Sequence, residues 1–104
     1  MGEYSIHISD SAKQDIRGIA AYITHELLEP VIAESTTEAI LAAISTLEDM
    51  PNRIGLVNDG RLSELRIRRL LIKNYSVFFR INEAYKVVEI VRVIYSRRDW
   101  ASLL

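Results

Sequence analysis

The sequence predicts an α+β fold in the order β-α-α-β-β-β, an antiparallel sheet with a two-helix hairpin packed on one face. Three observations predict it. Residues 64–100 hold three runs rich in Val, Ile, Tyr and Phe, separated by two short polar breaks, Lys73-Asn74 and Asn82-Glu83-Ala84. Such residues fit a pleated, half-buried surface, so these runs read as three consecutive antiparallel strands. Residues 3–9 alternate, with Tyr4, Ile6 and Ile8 on one side and Ser5, His7 and Ser9 on the other, the pattern of a short strand with one buried face. Between these regions, two stretches repeat apolar residues at steps of three and four, the spacing of amphipathic helices.

Each element has local support. Ser11 and Gln14 stand at capping-box spacing before the first helix, with Ser9 and Asp10 as alternative caps. That helix is predicted over about 11–28, with Ala12, Ile16, Ile19, Ala20, Ile23 and Leu27 as its stripe. Pro30 suits a first helical turn. The second helix is predicted over about 30–49, with Ile32, Ile40, Ala43, Ile44 and Leu47 facing inward and Pro51 ending it. Residues 51–63 read as a loop, marked by Gly55 and Asp59-Gly60. The strands are predicted over about 64–71, 75–82 and 85–95, with a bulge at Leu70-Leu71-Ile72 where alternation fails. Residues 97–104 read as a short helical turn or tail anchored by Trp100 and Leu103. The helices cover one face of the sheet, and the other is expected to stay open.

A chain of 104 residues predicts one domain, 1–104, able to bury roughly two-thirds of its unfolded surface. It has no cysteine, which excludes disulfides, thiol chemistry and cysteine zinc sites and fits a reducing compartment. No stretch approaches the ~20 apolar residues of a membrane span, and no basic-then-apolar leader opens the chain. A cytoplasmic protein without cofactor or metal is the expectation.

The net charge of −1 conceals a division. Residues 1–60 hold three Lys/Arg against ten Asp/Glu, or −7, and residues 61–104 hold ten against four, or +6. A chain so divided predicts a folded dipole with one surface suited to acidic partners. Arg66, Arg68, Arg69, Arg80, Arg92, Arg97 and Arg98 thread the strand region. Of these, Arg66, Arg68, Arg80, Arg97 and Arg98 are the candidates for binding a target or nucleic acid. Structural roles compete. Arg69 and Arg92 can lie along apolar surface and pair with Glu64 or Glu89, and Arg97 can pair with Asp99. His7 and His25 read as ordinary surface histidines away from the arginines.

The order of elements, together with NYSVFFRI at 74–81, VVEIVRVIYSRRDW at 87–100 and the opening ISDSAKQDIRGIAAY at 8–22, resembles the RelE/ParE superfamily of toxins from bacterial toxin–antitoxin modules. The resemblance covers essentially the whole chain. It implies a small growth-inhibiting toxin, kept silent by a cognate antitoxin that wraps its apolar and basic surface. RelE-like members of the superfamily cut messenger RNA on the ribosome, and ParE-like members poison DNA gyrase.

RNA cleavage would need a general base for the 2′-hydroxyl, cations for the phosphorane and an acid for the leaving oxygen. Arg66, Arg68 and Arg98 match basic positions of RelE-like enzymes, and Tyr95 is the titratable candidate beside Arg97 and Arg98. These four are the catalytic candidates if the chain is a ribonuclease. The match fails at Ser76, where RelE-like nucleases commonly carry an arginine after the strand-three tyrosine. A net charge of −1 also suits ribosomal RNA poorly, because counterion release drives such binding. The balance leans slightly to ParE-like action on gyrase. RNA cleavage is the alternative, and a non-toxic interaction module stands behind both.

Overall fold

A computed structural model describes residues 2–104. Strands β1 (Ser5–Ile8), β2 (Arg68–Ile72), β3 (Tyr75–Asn82) and β4 (Val87–Tyr95) form one sheet in the order β1-β4-β3-β2. The β2-β3-β4 meander is antiparallel as predicted. β1 is parallel to β4, with Ser5 opposite Val87 and Ile8 opposite Ile90, so the sheet is mixed rather than wholly antiparallel. β1 therefore runs in the same direction as β2, at the opposite edge, and the helical hairpin is the long crossover that parallel strands require. Alternation within a strand fixes its two faces and carries no information on the direction of its neighbour.

Helix α1 (Asp10–Ala21) is capped by Ser9. The Ser9 hydroxyl accepts from the Ala12 N–H at 3.0 Å and donates to the Val91 carbonyl at 2.9 Å, so one side chain closes the helix and ties it to β4. The helix does not continue to 28. It gives way to a π turn, Tyr22–Glu26, in which the Leu27 N–H reaches the Tyr22 carbonyl at 3.2 Å. Leu28 then reverses the chain at φ 54°. Helix α2 (Pro30–Ser45) starts on its proline and tightens into a 3-10 turn at Thr46–Glu48. Its buried residues are Ala33, Thr36, Ile40 and Ile44, continued by Leu47. Ile32, expected on this stripe, is one residue (about 100° of rotation) off it and is half exposed. Among the described residues, no helix is long and apolar enough to cross a membrane.

Two cores flank the sheet. On the helix side, Ile16, Ile40, Ile44 and Leu47 pack on Val77, Phe79, Val88 and Ile90. The far side, expected to be open, is partly covered. Val57, Leu62 and Ile67 meet Phe78 and Ile94, with Trp100 and Leu103 packed against them. The supposed loop supplies this cover through helix α3 (Gly60–Glu64), capped by the Asp59 carboxylate accepting from Leu62 N–H at 3.1 Å. Helix α4 (Trp100–Leu103) closes the other side, as its anchor residues predicted. The bulge also differs from expectation. β2 pairs regularly through Leu70, Leu71 and Ile72. The shift lies between Phe78, opposite Arg92, and Phe79, opposite Ile90, leaving Val91 as the extra residue.

β1 ends at Ile8, so the backbone of β4 loses its partner beyond Ile90. Asp15 of α1 fills the gap. Its carboxylate accepts from the Val93 N–H at 2.9 Å and from Arg92 at 2.7 and 2.9 Å. Arg92 also donates to the Leu103 carbonyl at 3.1 Å. One ion pair thus joins helix, sheet and C-terminal turn.

Candidate functional site

The fold sorts the arginines by what lies beside them. Arg68 points its guanidinium at the loop before α3, donating to the Ile54 carbonyl and to Asn52 O at 3.4 Å. Arg69 donates to the Ser76 hydroxyl at 2.8 Å and stacks 4.9 Å from the Trp100 ring centre. Arg92 is held by Asp15 rather than by Glu89, and that hydrogen-bonded carboxylate holds its pKa above the ordinary guanidinium value. Arg80 is exposed and 4.0 Å from Glu89, a pair worth little in water. Arg66 is exposed at φ 63° ahead of β2 and shares a small hollow with Arg68, Ile81 and Glu83. Among the described residues, Arg66, Arg97 and Arg98 have no side-chain hydrogen bond or ion pair, and Arg97 does not bridge to Asp99.

The four candidates for RNA cleavage fall into two groups. Arg68 lies level with Phe79, and Tyr95 lies level with Tyr75 and Ile72. Four residues along the strands and two strands across place their backbones about 16 Å apart, at ~3.3 Å per residue and ~4.8 Å per strand. Arg66 is further out still, and Arg98 sits beyond Tyr95. Ser76, where RelE-like nucleases commonly carry an arginine, is fully buried. Its hydroxyl pairs with Ser96 Oγ at 2.9 Å beneath the Arg69–Trp100 stack. His7 and His25 are exposed, on β1 and the π turn.

Three of the free cations, Lys73, Arg97 and Arg98, gather at one end of the sheet, while Arg66 stands at the other. The Ser96 N–H donates to Asn74 O at 2.8 Å, which locks the β2–β3 turn against the exit of β4. Lys73 in that turn is thereby brought beside Arg97 and Arg98. Lys73 has no side-chain partner among the described residues. It is the first residue of a two-residue turn and has φ 54°, the position that glycine ordinarily takes in a hairpin. Sequence reasoning treats Lys73 only as part of a polar break. A lysine where a tight hairpin wants glycine is the signal that could have marked it.

Lys73 and Arg98 border a cleft of about 940 Å³ between the helical hairpin and the sheet. Tyr75 and Tyr95 meet edge-to-face at 5.8 Å, and Tyr22 from the π turn also lines the wall. Burial first, then the neighbouring phenols of Tyr95 and Tyr22, push the Tyr75 pKa above its ordinary 10.0. The outer lip of the hairpin is apolar, with Leu27, Leu28, Val31 and Ile32 all at least half exposed.

Comparison with known proteins places this arrangement. The profile of the ParE toxin of the type II toxin–antitoxin system parDE matches residues 6–100. No curated protein matches the sequence. A solved chain of the chromosomal ParDE toxin–antitoxin system from P. aeruginosa shares 20% identity and superposes with a TM-score of 0.73, covering 88% of this chain and 95% of that one. A chain of the toxin–antitoxin complex RelBE2 from Mycobacterium tuberculosis shares 17% identity at a TM-score of 0.64, covering 88% and 96%. The two likenesses bear out the α+β architecture, and the match over residues 6–100 carries the assignment: this chain belongs to the ParE toxin family of type II toxin–antitoxin systems.

Proposed function

We propose that the protein arrests growth by binding DNA gyrase in the ParE-like manner, through the basic corner formed by Lys73, Arg97 and Arg98. A cognate antitoxin neutralises it by covering the apolar lip at Leu27, Leu28, Val31 and Ile32. The observation that carries this reading is the separation of the cationic groups. RNA cleavage through Arg66, Arg68, Tyr95 and Arg98 would require them around a single phosphate, and Arg68 is turned to the Asn52 and Ile54 carbonyls with its backbone about 16 Å from that of Tyr95 at standard sheet spacings. The cations left without partners suit an acidic protein or DNA surface, where free charge speeds and orients association. Exposed apolar side chains beside them suit a partner that buries them.

The test is direct. Purified protein added to gyrase is expected to inhibit supercoiling, and induced expression to produce DNA damage and filamentation. Unimpaired supercoiling, together with cuts inside codons of translated messages, would replace this reading with ribosome-dependent RNA cleavage. Growth untouched by strong expression would leave a non-toxic module.

A further inference from the structure

The cleft between hairpin and sheet carries chemistry that contact with a protein target does not require. Three phenols converge there. Tyr75 and Tyr95 lie 5.8 Å apart at 67°, and Tyr22 approaches from the π turn. Aromatic rings at the wall of a groove are platforms on which a nucleobase stacks, whatever its identity. Ile19 and Ile23 supply apolar lining. The volume of about 940 Å³ lies in the range of small-ligand sites, roughly 300–1,000 Å³.

The rim is polarised. Lys73 and Arg98 lie on the sheet side, without partners among the described residues. Asp15 also borders the cleft, but Arg92 neutralises it at 2.7 Å, so it does not repel an anion. Glu29 lies on the hairpin side, which leaves the sheet side as the place for negative charge. Lys73 holds its position at φ 54°. Glycine there would relieve the backbone and remove the amine.

We propose that this cleft binds a nucleotide, its base against the tyrosine rings and its phosphate between Lys73 and Arg98. The same chemistry is offered by a free mononucleotide and by an unpaired nucleotide of a single strand. The inference does not depend on which macromolecule the toxin poisons.

Isothermal titration of the full chain with AMP, adenosine, inorganic phosphate and a short oligo-dT tests it. AMP is expected to saturate one site and to bind at least about tenfold more tightly than adenosine or phosphate alone, because both halves of the site are used. Lys73→Gly keeps the turn and is expected to weaken AMP several-fold while leaving adenosine unchanged. Tyr95→Ala is expected to weaken both by about tenfold. If Tyr95→Ala does not fold, amide shift mapping on the unaltered chain decides instead, with AMP-induced changes expected at residues 73–75 and 92–98. Oligo-dT binding well above AMP identifies the single strand as the ligand, and the reverse identifies the free nucleotide. AMP binding no tighter than phosphate, unchanged AMP affinity in Lys73→Gly, or shifts confined to other surfaces would each overturn the proposal. No gyrase or ribosome enters the experiment, so its failure and that of the gyrase reading are separable.

Discussion

The two ends of the β2–β3–β4 meander hold the same kind of charge in opposite conditions. Where β2 begins, Arg68 donates to the carbonyls of Asn52 and Ile54 and pins the preceding loop. Where β2 turns into β3, Lys73 stands beside Arg97 and Arg98, and none of the three makes a side-chain hydrogen bond or ion pair among the described residues. The sequence presents both ends as basic. What separates them is backbone: an irregular segment leaves carbonyls unpaired and a nearby guanidinium takes them, whereas the Asn74 carbonyl of the hairpin is already taken by the Ser96 N–H. The charge available to a partner is therefore smaller than the charge on the strands: three untied cations at the β2–β3 turn against Arg66 and the weakly paired Arg80 towards the other end.

The largest expected effect falls on the tied cations. Asp15→Ala strands the Arg92 guanidinium and the Val93 N–H together, and should cost about 3 kcal/mol in urea unfolding. A loss below ~1 kcal/mol would mean that this pair behaves like an ordinary surface bridge. Arg68→Ala should cost about 1–2 kcal/mol through the loop carbonyls. Arg97→Ala and Arg98→Ala should each stay within ~0.5 kcal/mol of the unaltered protein. Equal losses at the two ends would erase the contrast.

Smaller shifts sharpen it. Lys73→Gly should raise stability by about 1 kcal/mol, because glycine adopts φ 54° without penalty. A destabilised Lys73→Gly would show that the lysine, too, has a structural partner. The smallest effect concerns alkali. The folded Tyr75 pKa lies above its ordinary 10.0, so the unfolded chain releases this proton first. Its contribution is intact below pH 10 and is lost as pH rises through the folded value. Tyr75→Phe should flatten the fall in thermal midpoint above pH 10, and an unchanged slope would remove Tyr75 as its source.

Much of this was legible in the residues. The meander, the hairpin and the C-terminal anchor all followed from period and punctuation. Ser9, one of three possible caps, was settled by Val91, which offers a second bond. Three features were hidden for physical reasons. The direction of β1 depends on a strand far along the chain. The cover over Phe78 comes from Val57, Leu62 and Trp100, too scattered to show a period. The free or tied state of each arginine depends on carbonyls contributed by distant loops, and so Arg68 and Arg98 looked alike while Lys73 went unnoticed.

The central claim is that the partner-facing charge sits at Lys73, Arg97 and Arg98. It is tested most directly by inducing the Lys73→Ala/Arg97→Ala/Arg98→Ala variant beside Arg68→Ala, at matched soluble levels, and following growth. The account predicts that the triple variant no longer arrests growth although it stays folded and bound by antitoxin, and that Arg68→Ala still arrests it. Growth arrest by the triple variant, with its loss in Arg68→Ala, would contradict the account.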